Sequence, residues 1–291
     1  VHRRSFLAGL AVTVTSRRAR AVPSAEERLS VANKRLAEIE AREGGRLGVF
    51  VRDTGAGATI EHRADERFPM CSTFKLLAAA AALKRVDNGA ERLDRKIAYG
   101  PDDLLEYAPI TKAHVAEGGM TVADLCAAAI DWSDNTAANL VLRTIGGPAG
   151  FTHFASSLGD EVTRLDRNEP SLNEATPGDP RDTTSPRAMA ASMQKVLVGD
   201  ALSDSSRRQL QTWLIGDKVG DKRLRAGLPP SWRIGDKTGT GEHGSTNAVA
   251  IIWPPGRAPL IATVYYTESS ASVDARNAVH KEIGALIAET F

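Results

Sequence analysis

The chain has 291 residues, 42% of them hydrophobic, an ordinary share for a globular protein and enough to bury a full core. Its formal charge of +1 hides an asymmetry: the first 21 residues carry Arg3, Arg4, Arg17, Arg18 and Arg20 and no acid, leaving 32 basic side chains against 36 acidic ones. No Lys/Arg-rich stripe interleaved with aromatics remains, which excludes nucleic acid as an expected partner. Two cysteines exclude a disulfide-dense scaffold, and six scattered histidines without His-x-x-x-His spacing argue against a zinc site.

Residues 1–21 read as an export signal: a basic start, the apolar run Phe6 to Val14, and Ala19-Arg20-Ala21 in small-x-small spacing. Arg3-Arg4-Ser5-Phe6-Leu7 resembles a twin-arginine signal, although Arg17 and Arg18 are atypical between an apolar run and a cleavage site. The expected product is one folded unit over residues 22–291, exported to a bacterial periplasm or outside the cell. The apolar run is too short for a stable membrane anchor, and no later stretch reaches about 18 uninterrupted apolar residues.

Leu29, Ala32, Leu36 and Ile39 recur at helical spacing from Glu26 to about Arg42, and Gly44-Gly45 stops that helix. Arg46 to Arg52 and Ala58 to His62 predict two strands joined by the turn Asp53–Gly57. From Thr73 to about Thr212 the strong signals are helical: Leu76-Leu77-Ala80-Leu83, then Val122 to Ile130 behind a Thr121/Asp124 capping pattern, then Leu140 to Ile145 ending at Gly146-Gly147-Pro148. Strand signals return at Arg233 to Lys237, Asn247 to Trp253 and Leu260 to Thr267, and Ser272 to Phe291 is an amphipathic helix. This order predicts an α+β fold: a five-stranded antiparallel sheet covered by the terminal helices, with an all-helical insert. One lobe should take about 26–63 and 213–291, the helical lobe about 70–212, with a ligand cleft between them. Pro170 to Pro186, dense in Pro, Gly, Asp and Asn, is a long irregular segment of the kind that is usually functional or disordered.

Ser72-Thr73-Phe74-Lys75 places a hydroxyl and an amine three residues apart at the start of a helix, where the amine can accept the serine proton and the helix dipole favours developing negative charge. Alone the pattern is weak, since Ser192-Met193-Gln194-Lys195 repeats it inside an ordinary helix. Ser133-Asp134-Asn135 in a helix break and Lys237-Thr238-Gly239 on a strand change its weight. Together the three motifs resemble the signature of class A β-lactamases and penicillin-binding proteins, and the resemblance extends from about Glu26 to Phe291. Arg164-Leu165-Asp166-Arg167-Asn168-Glu169-Pro170-Ser171-Leu172-Asn173-Glu174, ending in Arg181-Asp182, looks like the active-site loop that sets class A β-lactamases apart.

The resemblance implies a serine hydrolase that opens the β-lactam ring of penicillins and cephalosporins through an acyl-enzyme, without metal or cofactor, as a monomer. It implies Ser72 as nucleophile with Lys75 as its proton partner, leaving open whether Lys75 or Glu169 through water is the acylation base. Ser133 should protonate the departing ring nitrogen, and Lys237 and Thr238 should bind the substrate carboxylate. Asn135 should take the substrate's side-chain amide, the N–H groups of Ser72 and Thr240 the oxyanion, and Tyr107 the cleft entrance. Glu169 and Asn173 should hold the deacylating water between them, while Arg167 pairs with Asp182 and Arg164 with Asp166. Where many relatives carry a carboxylate-binding arginine this chain has Thr246, and Arg223 is the expected substitute. Ala79 and Gly241 stand where relatives bridge Cys126 and Cys71, so two reduced, buried cysteines are expected. Gly239-Thr240-Gly241-Glu242-His243-Gly244 mimics a dinucleotide motif in the wrong context, and its glycines read as strand-edge positions open to a ligand. The rival readings are a D-alanyl-D-alanine carboxypeptidase or transpeptidase and a penicillin sensor that stays acylated.

Overall fold

The computed structural model describes residues 24–291, so the proposed leader lies outside the described residues. Helix α1 (Ala25–Glu43) starts where Ser24 accepts from Glu27 N and Glu27 reaches back to Ser24 N, a reciprocal cap, and it buries Ala32, Leu36 and Ile39. Strands β1 (Arg46–Asp53) and β2 (Thr59–His62) follow as a hairpin. After β3 (Phe68–Pro69) and a 3-10 turn at Cys71–Thr73 comes helix α2 (Phe74–Asp87), then β4 (Lys96–Ala98), α3 (Pro109–His114), β5 (Gly119–Thr121), α4 (Val122–Asp131), α5 (Asn135–Ile145) and α6 (Gly147–Ser157). The long loop leads to β6 (Thr183–Thr184), α7 (Pro186–Leu197), α8 (Asp204–Ile215) and the single turn α9 (Leu224–Gly227). Strands β7 (Arg233–Thr240), β8 (Thr246–Trp253) and β9 (Leu260–Thr267) precede α10 (Val273–Thr290).

The main sheet has the order β2-β1-β9-β8-β7, antiparallel throughout. The two strand groups therefore join through β1 and β9, whose eight-residue register pairs Arg46 with Thr267 and Asp53 with Leu260. Alternation of side chains serves two cores. Ala248, Ala250, Ile252, Leu260, Ala262 and Val264 pack with Leu36, Ile39, Ile283 and Ile287 of the terminal helices, whereas Val249, Ile251, Ile261 and Tyr265 pack with the helical lobe. Covered on both faces, β8 and β9 read as nearly unbroken apolar runs. Gly48 in β1 is dictated by packing, because a Cβ there would come within 2.4 Å of the Phe68 ring.

Helix α2 is buried from Phe74 through Leu83, a helix hidden on all sides. Its run Ala78 to Ala82 keeps it slender, so that α4, α5, α6 and α8 can pack around it. The helical insert is not purely helical: β4 pairs with β5, and β3 with β6, in two short ribbons. Segments of two or three residues are too short to show a period-2 pattern. Gly146-Gly147-Pro148 ends α5 and at once opens α6, since Gly146 takes the left-handed conformation and Pro148 suits a first helical turn. No helix among the described residues is long and apolar enough to cross a membrane.

Candidate active site

The Ser-x-x-Lys turn is presented by a strained backbone. Cys71 has φ +46°, a left-handed conformation uncommon for a residue with a side chain, and the Asn247 side chain on β8 donates to the carbonyls of Pro69 (2.9 Å) and Met70 (3.0 Å) just before it. Asn247 thus ties the nucleophile's turn to the sheet. Ser72 opens into a cleft of about 370 Å³ lined also by Tyr107, Ser133, Asn135, Asn173, Val219, Arg223, Thr238, Gly239 and Thr240. All nine cleft-lining residues assigned from sequence are therefore brought together, with Val219 added.

Beneath them lie the charged groups. Lys75 Nζ donates to Ser133 O (2.8 Å) and Asn135 Oδ1 (2.7 Å), reaches Ser133 Oγ at 3.4 Å, and pairs with Glu169 Oε1 at 3.0 Å. Burial pushes its pKa down, opposed chiefly by the Glu169 charge. Ser72 Oγ donates not to Lys75 but to Glu169 Oε1, at 3.1 Å. Asn173 Nδ2 donates directly to Glu169 Oε2, so the amide grips the carboxylate itself instead of standing off across a gap. Lys237 Nζ donates to Ser133 Oγ (3.0 Å) and to Thr238 O (2.9 Å), and burial pulls its pKa down to about 7.

Ser133, at φ +57°, sits in the break between α4 and α5. The buried Asp134 holds that break by accepting from Ala137 N as a helix cap and from Ile110 N, Thr111 N and Thr111 Oγ1. Asn139, one turn beyond Asn135, clamps the backbone of Glu169 with two 2.9 Å bonds, one to its N–H and one to its carbonyl. The sequence reading missed Asn139 and Asn247; their one local signal is an amide inside an otherwise apolar helix or strand.

The loop's neck is closed by Asp182, wholly buried, which accepts from Asp166 N, Arg167 N and Arg167 Nε (2.6 Å). Arg164 makes a two-pronged pair with Asp166. Both expected pairs are present, and Asp182 is no exposed loop charge. Arg223 is buried as well, donating to Gly239 O (2.6 Å), Asn247 O (2.5 Å), Thr240 Oγ1 (2.6 Å) and Asn277 Oδ1 (3.0 Å).

A family profile described as the β-lactamase enzyme family matches residues 31–291. β-Lactamase AST-1 of Nocardia asteroides is 49% identical over 90% of this chain and 84% of its own, and β-lactamase CTX-M-8 of Citrobacter amalonaticus is 47% identical over 89% and 88%. A solved structure of an ancestral (GNCA) class A β-lactamase shares 64% identity with a TM-score of 0.88, covering 89% of this chain and all of that one. The chain belongs to the class A β-lactamases. A second structure, the putative class A β-lactamase PenP from Rhodopseudomonas palustris, is 56% identical with a TM-score of 0.88, over 90% of this chain and all of its own.

Within this class A β-lactamase, one expectation takes a different physical form. Glycines 239 and 241 make room for the protein's own backbone: a Cβ at Gly239 would lie 2.9 Å from Met70 O, and one at Gly241 would lie 2.7 Å from Asn173 O. The second Ser-x-x-Lys is structural, with the buried Ser192 donating to Asp160 (2.9 Å) and the exposed Lys195 to Leu158 O. Cys71 and Cys126 are free and buried, and burial pushes both thiols up to about 12, which makes them poor nucleophiles.

Proposed function

We propose that this serine β-lactamase opens the ring of penicillins and cephalosporins through an ester on Ser72 and then hydrolyses that ester, the chemistry of β-lactam resistance. The observation that supports it best is the meeting of the Ser72 hydroxyl and the Lys75 ammonium on one buried oxygen, Glu169 Oε1. In acylation, Ser72 Oγ bonds to the lactam carbonyl carbon while its proton passes to Glu169 Oε1. Lys75 lies between that oxygen and Ser133, so a proton can travel from Glu169 through Lys75 to Ser133 Oγ as the hydroxyl's own proton goes to the departing ring nitrogen. The carbonyl oxygen is held by the N–H groups of Ser72 and Thr240: Ser72 starts a helical turn, where N–H groups lack intrahelical partners, and β7 is an edge strand whose outer backbone groups look into the cleft. In deacylation Glu169, steered by Asn173 and Asn139, deprotonates the water that attacks the ester.

Lys237, Thr238 and Arg223 form the proposed carboxylate subsite, with Asn135 for the side-chain amide and Tyr107 at the rim. Arg223 acts in part by holding the Thr240 hydroxyl and the Gly239 carbonyl, which shapes the strand under the substrate. Arg223→Ala is expected to raise KM by about 10-fold or more for carboxylate-bearing substrates with a smaller change in kcat. Steady-state kinetics on benzylpenicillin check this, and an unchanged KM removes Arg223 from the subsite.

The catalytic unit is proposed to run over residues 22–291, as an exported monomer acting in a bacterial periplasm or outside the cell. Hydrolysis of a chromogenic cephalosporin and of benzylpenicillin by purified protein is the direct test. Many turnovers per enzyme are expected. Acylation that stops at one equivalent would point to the penicillin sensor or transpeptidase reading, against which the Glu169–Asn173 contact argues.

A further inference from the structure

Two buried carboxyl groups behind the cleft have no part in the chemistry above. Asp217 follows α8, and Asp236 precedes Lys237 on β7. Each has one oxygen accounted for: Asp217 Oδ1 accepts from Val219 N (3.0 Å), and Asp236 Oδ1 from Arg225 (2.5 Å). The other oxygen of each is buried without a hydrogen-bond partner. Both unpartnered oxygens crowd the same point: a Cβ on Gly220 would lie 2.1 Å from Asp236 Oδ2 and 2.4 Å from Asp217 Oδ2. They are therefore within about 4.5 Å of each other, in a space that only glycine leaves open. Two bare carboxylate oxygens facing each other out of water repel strongly, and one proton between them satisfies both.

We propose that Asp217 and Asp236 share one proton and that its release, as pH rises, adds the negative charge that keeps the Lys237 ammonium protonated. The charged and titratable groups facing the pair are Lys237, Arg225, Arg223 and Tyr107, and Asp131 of α4 with Lys218 beyond it; Lys75 and Arg223 face Lys237 from the cleft side. Burial, and then the charge of Asp217, push Asp236 up to about 7, while burial pushes Asp217 up and Asp131 to about 6. Lys237 is pulled down to about 7, so the pair's second ionisation and the discharge of Lys237 compete for the same pH range and belong to one coupled titration. The sign follows: a carboxylate charge appearing near Lys237 raises its pKa, so the enzyme keeps its carboxylate anchor at a pH where burial alone would discharge it. Asp217 and Asp236 are thus positioning residues acting through Lys237. This rests on the reading of Lys237 as the carboxylate anchor.

The test uses Asp217→Asn, whose amide N–H can replace the shared proton while the pair keeps a single charge. Infrared difference spectra of the wild type at pH 6 should show a protonated buried carboxyl that disappears at high pH and is missing from Asp217→Asn. The pH profile of kcat/KM for benzylpenicillin should match the wild type on the acid side, but its alkaline limb should move down by about one pH unit, carried by KM more than by kcat. Asp217→Asn/Asp236→Asn, with no charge left, should lose carboxylate binding at pH 6 too. The absence of the infrared band, or an alkaline limb that stays in place in Asp217→Asn, overturns the proposal. If Lys237→Ala leaves KM untouched while the band is present, the reading of Lys237 has failed and the shared proton stands alone.

Discussion

Glu169→Ala is expected to lower benzylpenicillin turnover by about 10³-fold and to leave the enzyme carrying one covalently bound penicillin. Glu169 is 4% exposed, and its carboxylate has three partners whose roles differ: Ser72 through Oε1, Lys75 through the same oxygen, and Asn173 through Oε2. Removing it takes the hydroxyl's acceptor away, yet Lys75 remains within the same hydrogen-bonded cluster, contacting Ser133 and Asn135, and can still draw off the proton once its own partner is gone. Burial already pushes Lys75 toward the neutral amine, and loss of the Glu169 charge, which chiefly opposes that, pushes it further. Acylation therefore slows but proceeds. Hydrolysis of the ester has no such substitute, because Lys75 stays bonded to Ser133 O and Asn135 Oδ1 and no carboxylate lines the cleft to take the place of Glu169. Intact-mass measurement after mixing with penicillin separates the steps: a stable adduct is expected, and free enzyme turning over at the wild-type rate would remove Glu169 from deacylation. An inert variant that never acylates would instead make Glu169 the indispensable acylation base.

Asp182→Ala is expected to cost about 3–5 kcal/mol of folding stability, the range for removing one partner of a buried ion pair. The carboxylate satisfies two backbone N–H groups as well as the Arg167 guanidinium, and Arg167 is only 16% exposed, so the deletion leaves several donors stranded. Asp182→Asn keeps a neutral acceptor for the N–H groups and should cost clearly less. Denaturant unfolding compares the two. Because residues 164–182 form the loop that carries Glu169, kcat should fall along with stability. An Asp182→Ala protein as stable as the wild type would mean that the loop is fixed by other contacts, such as Thr183 with Pro180 and Arg67.

The elements that the residue pattern revealed are those whose signal is local. The period of Ala32, Leu36 and Ile39, the unbroken apolar strands β8 and β9, and the Thr121 cap are set by neighbours within a turn or a strand, and they stand where the pattern put them. The same holds for the Ser72, Ser133 and Lys237 motifs and for the Arg164–Asp166 pair, two residues apart. Ribbons of two or three residues, and the glycines at 239 and 241, had no such local signature, because their reason is a strand or a backbone carbonyl from far along the chain. Sequence alone thus determined the α+β plan, the loop and the residues that meet at the cleft. Only the tertiary structure decided that the Ser72 hydroxyl meets Glu169, 97 residues away, and not Lys75; that Asn139 and Asn247 hold the two halves of the site; and that Arg223 is buried under the cleft. Those contacts join residues far apart along the chain, and the packing of the elements that carry them, not the propensity of any residue in them, chooses which polar atoms meet.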